Sequence, residues 1–64
     1  MIFKKKKNKA ILLPESMSFL KELYSTEIDT TVFINEAKEH TNKEAKNVVK
    51  ELGKRGMQSY IIEL

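Results

Sequence analysis

The clearest hydrophobic pattern in this chain lies in its second half, between Thr41 and Gly56. Four apolar residues recur there at i, i+3, i+4 and i+7, which places them on one face of a helix: Ala45, Val48, Val49 and Leu52. Thr41 and Glu44 have the spacing of a capping box, in which each side chain binds the other residue's backbone N–H. Gly53 or Gly56 supplies the left-handed stop. The pattern therefore predicts a helix over 42–53.

Short apolar runs near both ends of the chain predict β-strands. Residues 10–13 form such a run, and Pro14 ends it. Residues 2–6 have a composition that also allows a hairpin with 9–13 across a turn near Asn8. At the other end, residues 57–64 predict a strand with apolar residues on both faces, and we expect the two terminal strands to pair.

The segment between these strands contains two less regular patterns. Pro14 suits the first turn of a helix, and Met17, Leu20 and Leu23 recur at helical spacing, so we predict a helix over 15–24. Residues 28–40 fit either structure, because 30–34 are β-branched or aromatic while Phe33, Ile34 and Ala37 share a helical face. We favour a helix there, with a strand at 30–35 as the open alternative.

These elements predict an α+β fold class, namely a small three-helix, winged-helix-like domain with its N- and C-terminal strands paired in a small sheet. The chain of 64 residues makes one domain over 1–64, in which 1–9 is a lysine-rich N-terminal segment or an edge strand. A domain of this size buries only about 60% of its unfolded surface. A homodimer is therefore an expected way of burying more.

Composition excludes several classes of function. The chain has no cysteine and one histidine, so neither a disulfide framework nor a clustered metal site is expected. We expect the histidine, His40, at a helix end. No nucleophile elbow or glycine-rich phosphate loop is present. We therefore predict a protein that is not an enzyme and uses no cofactor.

The hydropathy pattern bears on where the protein acts. No apolar run approaches the ~20 residues that span a bilayer, and MIFKKKK is not followed by the apolar core of a signal peptide. We therefore expect a cytoplasmic protein that does not enter the membrane.

Positive charge is concentrated in two places. The net charge is +3, yet the residues from Ala10 onward include seven basic and nine acidic side chains. One basic feature is the N-terminal run, and the other is the polar face of the predicted helix. We take both as candidate DNA-binding sites: Lys4, Lys5, Lys6, Lys7, Lys43, Lys46, Asn47, Lys50 and Lys54. The plain alternatives are a solvated helix face and lysines that protect an edge strand.

The sequence INEAKEHTNKEAKNVVKELGKRGM, residues 34–57, resembles the core of winged helix-turn-helix domains. Ile34 and Ala37 would face inward from a supporting helix, and Thr41 would open the recognition helix. The step from Leu52 to Met57 resembles the passage from recognition helix to wing strand. The resemblance implies that Lys43, Lys46, Asn47 and Lys50 face the major groove. Lys38 and His40 depart from the family pattern, and no complete wing follows Leu64.

Two further resemblances compete with this one. KAILLPESMSFLKEL followed by IDTTVFINEAKEH resembles the strand and two helices of ribbon-helix-helix proteins, which form intertwined dimers. However, Ala10 and Leu12 lie where polar base-reading side chains belong, and 41–64 are left unexplained. If 30–35 is a strand, the last half of the chain resembles half of a peptidoglycan-binding sporulation-related repeat.

Two functions follow from these observations. The first is a small DNA-binding transcriptional regulator or architectural protein, of the kind that phages and mobile elements encode, with helix 42–53 contacting DNA. The second is a small non-catalytic module, an inhibitor or adaptor that binds a protein partner. The first is favoured by the helix-turn-helix resemblance and the basic helix face, and the second by the net negative body after residue 9.

Overall fold

The computed structural model describes residues 7–64, in which an antiparallel sheet carries an α-helix on one face. Its strands are β1 (Lys9–Leu13), β2 (Ser18–Leu23), β3 (Ile28–Thr31) and β4 (Tyr60–Glu63). The helix α1 is Asn42–Lys54, and a single 3-10 turn occupies Ile34–Glu36. The strand order is β3-β2-β1-β4, and all neighbouring strands are antiparallel.

The predicted three-helix domain is wrong, because the described residues contain one α-helix and a four-stranded antiparallel sheet. Residues 15–24, predicted as a helix, form most of a turn followed by β2. Residues 28–40, for which we favoured a helix, contain β3 and the 3-10 turn. Of the alternative strand at 30–35, only residues 30 and 31 are in a strand, at the end of β3.

A β-bulge explains why β2 has a helix-like pattern. Leu20 pairs with Thr30 while Glu22 pairs with Asp29, so Lys21 is an extra residue in the ladder. In a regular strand, Leu20 and Leu23 would point to opposite faces. The extra residue brings Leu23 back to the side of Leu20, where both pack in the same core. Two apolar residues at the helical spacing i, i+3 thus lie on one face of a bulged strand.

The β1–β2 turn accounts for the misplaced start of the first predicted helix. Pro14 does end β1, as predicted, but it then opens a turn in which the Met17 N–H donates to the Pro14 carbonyl at 3.3 Å. Met17 has φ 53°, a left-handed conformation that reverses the chain. The Ser16 and Ser18 hydroxyls share a hydrogen bond at 2.6 Å across the turn.

The helix prediction for 42–53 is confirmed by α1. Both hydrogen bonds of the capping box are formed, since the Glu44 N–H donates to Thr41 Oγ1 at 3.1 Å and the Thr41 N–H donates to Glu44 Oε1 at 2.9 Å. At the other end Gly56 (φ 79°) is the left-handed residue. The Gly56 N–H donates to the Gly53 carbonyl, and the Met57 N–H donates to the Leu52 carbonyl. These two hydrogen bonds form the Schellman motif.

The core lies between α1 and one face of the sheet. Its buried side chains come from three elements, namely Ile11 and Leu13 of β1, Leu20 of β2, and Ala45 and Leu52 of α1. The helix lies over the β1–β4 half of the sheet, because its closest neighbours are these two strands. Its opposite side is therefore turned to solvent.

The predicted pairing of the terminal strands is found between β1 and β4, from Lys9↔Glu63 to Leu12↔Tyr60. Beyond Leu12, toward the N-terminus, β1 separates from β2, and the segment 38–40 fills the gap. His40 exchanges two backbone hydrogen bonds with Lys9, and the Lys38 N–H donates to the Leu20 carbonyl. Residues 9–13 of the proposed hairpin form β1, and its other strand, 2–6, lies outside the described residues.

Candidate functional site

The outward side of α1 is a stripe of polar residues, which we call the α1 lysine face. Its members are all exposed: Lys43, Lys46, Asn47, Lys50 and Lys54. At about 100° per residue, four of them fall within about 60° of arc opposite the buried stripe, and Lys46 lies to one side. The face is about 16 Å long at the α-helical rise. The structure thus brings all five predicted helix residues onto one accessible surface.

Ion pairing separates the α1 lysines from most other basic residues of the domain. Four basic residues each have a carboxylate within reach: Lys9–Glu63 at 3.0 Å, Lys21–Glu36 at 4.0 Å, Lys38–Glu22 at 3.5 Å and Arg55–Glu51 at 3.2 Å. Within residues 7–64 no such pair includes Lys43, Lys46, Lys50 or Lys54. The positive charge of this face is therefore available to an external anion.

Lys7 extends this positive region toward the first turn of α1. The Lys7 side chain is exposed, and its charge is close enough to Glu44 and His40 to lower the pKa of both. The pKa of Glu44 is lowered, first by the hydrogen bond from the Thr41 backbone N–H and further by the Lys7 charge. The end of the lysine run is thus near the start of the helix. Lys4, Lys5 and Lys6 lie outside the described residues.

Charge is unevenly distributed over the domain. Residues 7–64 contain nine basic and nine acidic side chains and so have no net charge. Residues 42–55, however, contain five basic and two acidic side chains, while 21–39 contain two basic and five acidic ones. A polyanion is therefore attracted to α1 and repelled by the β2–β3 side, which favours one orientation of approach.

His40 lies directly before Thr41, the N-cap of α1, in a β-bridge with Lys9. Its side chain is buried, its backbone pairs with Lys9, and its Nδ1 has no hydrogen-bond partner among the described residues. Burial lowers the pKa of His40, the Glu44 charge raises it, and Lys38 and Lys7 lower it. Burial inside the domain therefore favours the neutral imidazole over its charged form.

The described part of the chain has neither a clustered metal site nor a membrane-spanning helix. In residues 7–64 no group of three histidine or acidic side chains is arranged to hold a metal ion. Over the same residues, no helix has the length and apolar character needed to cross a membrane.

The structure changes what the family resemblances can support. The supporting helix expected around Ile34 and Ala37 is a single 3-10 turn, and the first helix of the ribbon-helix-helix pattern is replaced by a turn and β2. The step from Leu52 to Met57 is a Schellman motif, which ends many helices outside DNA-binding proteins. No family model, curated protein or solved structure matches this chain. The case for function therefore rests on the residues themselves.

Ion pairing and the position of Lys7 were not predicted from the sequence. Lys9 and Glu63 are 54 positions apart and meet only because β1 and β4 are neighbours. Lys38 and Glu22 meet through the segment that fills the gap between β1 and β2. Sequence spacing identifies only local pairs, such as Glu51 and Arg55 at i, i+4.

Proposed function

We propose that this chain is a small, non-catalytic DNA-binding protein, a regulator or architectural protein, that contacts the phosphates of a duplex with the α1 lysine face. One observation carries the proposal. Among residues 7–64, the four lysines of the α1 lysine face lack carboxylate partners, whereas four other basic residues are each paired: Lys9, Lys21, Lys38 and Arg55.

Phosphate neutralisation is the physical basis of the proposed binding. Each lysine that contacts a phosphate releases condensed counterions, which makes binding favourable at low salt and weaker as salt rises. A helix fits the major groove, which is about 12 Å wide, and a face about 16 Å long extends past roughly five base pairs. Asn47 lies near the middle of this face along the helix axis, and its amide has the groups needed to pair with an adenine edge.

The experiment is a fluorescence-anisotropy titration of a labelled mixed-sequence duplex at several salt concentrations. Four lysine–phosphate contacts predict a slope of log K against log[salt] of about −3 to −4. Replacing Lys50 and Lys54 by alanine should reduce that slope by about 2. The matched control replaces Lys21 and Lys38, which removes the same charge from the acidic side and should leave the slope near that of the parent protein.

Three results would overturn the proposal. Absence of binding at low salt would exclude a DNA-binding role. Equal weakening by the two double variants would show that net charge, and not the α1 lysine face, governs binding. Binding abolished by replacing Lys4, Lys5, Lys6 and Lys7 but unaffected by Lys50→Ala/Lys54→Ala would assign the contact to the N-terminal run alone.

A protein-binding module is the second candidate function, and a cluster of exposed apolar residues favours it. Val32 and Phe33 follow β3 and are 66% and 59% exposed, and Met17 in the β1–β2 turn is 74% exposed. Phe19 of β2 pairs with Thr31, the last residue of β3, so it lies at the same end of the sheet. An inhibitor or adaptor that docks through this end would give no anisotropy change with DNA and would lose its partner on Phe33→Asp.

A further inference from the structure

The strand β4 is an open edge of the sheet. Leu64 donates its N–H to the Asn8 carbonyl at 2.8 Å. Together with the register, this bond shows which residues of β4 form hydrogen bonds with β1. Alternate residues of an antiparallel strand turn their backbone groups to opposite sides. Tyr60 and Ile62 therefore face β1, while Ile61 and Glu63 direct their N–H and C=O groups away from it. Within residues 7–64 no strand pairs with that outer side.

The two edges of the sheet differ in how they are protected. The β3 edge has an acidic residue, Asp29, and lies beside the bulge at Lys21, and both features discourage pairing. The sequence of β4, YIIE, contains no lysine or proline, and its ladder with β1 is regular. Its one charge, Glu63, is paired with Lys9 at 3.0 Å. An unprotected edge of this kind is a surface for strand addition.

We infer that β4 pairs antiparallel with β4 of a second copy of this chain, about a two-fold axis at Ile61. In this register Ile61 faces the partner's Ile61, and Tyr60 faces the partner's Ile62 on the other side of the sheet. Tyr60 is 50% and Ile61 36% exposed in the single chain, so both have apolar surface to bury. Glu63 faces the partner's Ser59, and no like charges are opposed.

A second copy of this chain is the partner that fits this edge best. The strand is apolar at its centre and has its charge at one end, so antiparallel pairing of two copies separates the two carboxylates. A 64-residue chain also has a thin core, and a second copy adds buried apolar surface to it. Such a dimer would form whether or not the chain binds DNA.

The dimer would have a definite arrangement of its helices. The dyad of an antiparallel strand pair is perpendicular to the sheet, so both α1 helices lie on the same face of a continuous eight-stranded sheet. Because α1 lies over β1 and β4, the two helices would be close to the dyad. Both α1 lysine faces would then point in the same direction.

Sedimentation equilibrium over about 1–500 μM, the range that covers common dimer affinities, tests the inference. The expected result is a concentration-dependent rise from the 7.4 kDa chain mass to twice that mass. Ile61→Lys should give a monomer, because two ammonium groups would meet at the dyad, and far-UV circular dichroism should show that it is folded. The matched control Met17→Lys adds the same charge at an exposed apolar residue outside β4 and should still dimerise.

A charge-reversed mixture tests the register itself. The variants Ile61→Lys and Ile61→Glu should each be monomeric and should associate one to one when mixed, because position 61 faces itself across the dyad. A parent protein that is monomeric throughout the range would overturn the inference. So would an Ile61→Lys variant that dimerises like the parent, or a mixture of the two folded variants that does not associate.

Discussion

At the scale of single residues, His40 makes the stability of the fold depend on pH. Burial lowers the pKa of its imidazole below the ordinary value of 6.5, so the unfolded chain binds this proton more readily than the folded one. The free energy of unfolding should therefore be unaffected by His40 above about pH 7.5 and decrease as the pH falls below 6.5. Lys38 and Lys7 act in the same direction as burial, and Glu44 opposes it.

Urea denaturation at intervals from pH 7.5 to 5.5 measures this dependence, over a range in which ordinary carboxyl groups stay ionised. The His40→Gln variant, which does not titrate, should show a smaller decrease over the same range. If the two proteins lose stability in parallel, the dependence arises from other groups and the buried imidazole does not contribute.

The sequence alone identified the residues of the α1 lysine face but not the environment of His40. Helical spacing is sufficient to place Lys43, Lys50 and Lys54 on one side, since the geometry of a helix is local. The burial of His40 depends on segment 38–40 entering the space between β1 and β2, a contact made through Lys9. Nothing in the neighbouring sequence indicates that contact.

At the scale of secondary structure elements, the capping box should make a measurable contribution to α1. Thr41→Ala removes the oxygen that accepts from the Glu44 N–H, at a cost of about 1 kcal/mol in the free energy of unfolding. Thr41→Ser keeps that oxygen and is the matched control. Chemical denaturation measures both. Equal losses in the two variants would mean that the buried methyl group, and not the hydrogen bond, is what Thr41 contributes.

The elements divide into those with local signals and those without. The helix α1 was predicted because its cap, its apolar stripe and its stop all lie within 16 residues. The strand β2 was missed because the bulge at Lys21 changes the phase of its hydrophobic residues, and a bulge is defined by the partner strand. Pro14 fits a helix start and a turn equally well, and the left-handed Met17 that decides between them has no sequence signal.

At the scale of the whole molecule, one layer of side chains holds the two parts of the fold together. Only five side chains form the buried cluster between α1 and the sheet, within residues 7–64. A domain of 64 residues has a total stability of about 3–10 kcal/mol on the usual scale per residue. The loss of any one of these side chains is therefore expected to affect the entire structure.

Leu52→Ala tests how strongly the fold depends on this layer. Leu52 is fully buried against the sheet, and its truncation should reduce the free energy of unfolding by about 2–5 kcal/mol, a large part of the total. Met17→Ala, a truncation at a residue that is 74% exposed, should change it by less than about 0.5 kcal/mol. Thermal and urea denaturation measure both, and similar midpoints for Leu52→Ala and the parent would mean that α1 is not packed on the sheet as described. Because α1 also carries the lysine face, loss of this packing should weaken the DNA binding that we propose, although no lysine has been replaced. Surface variants such as Lys50→Ala/Lys54→Ala must therefore keep the parent's denaturation midpoint before a loss of binding is assigned to the contact itself.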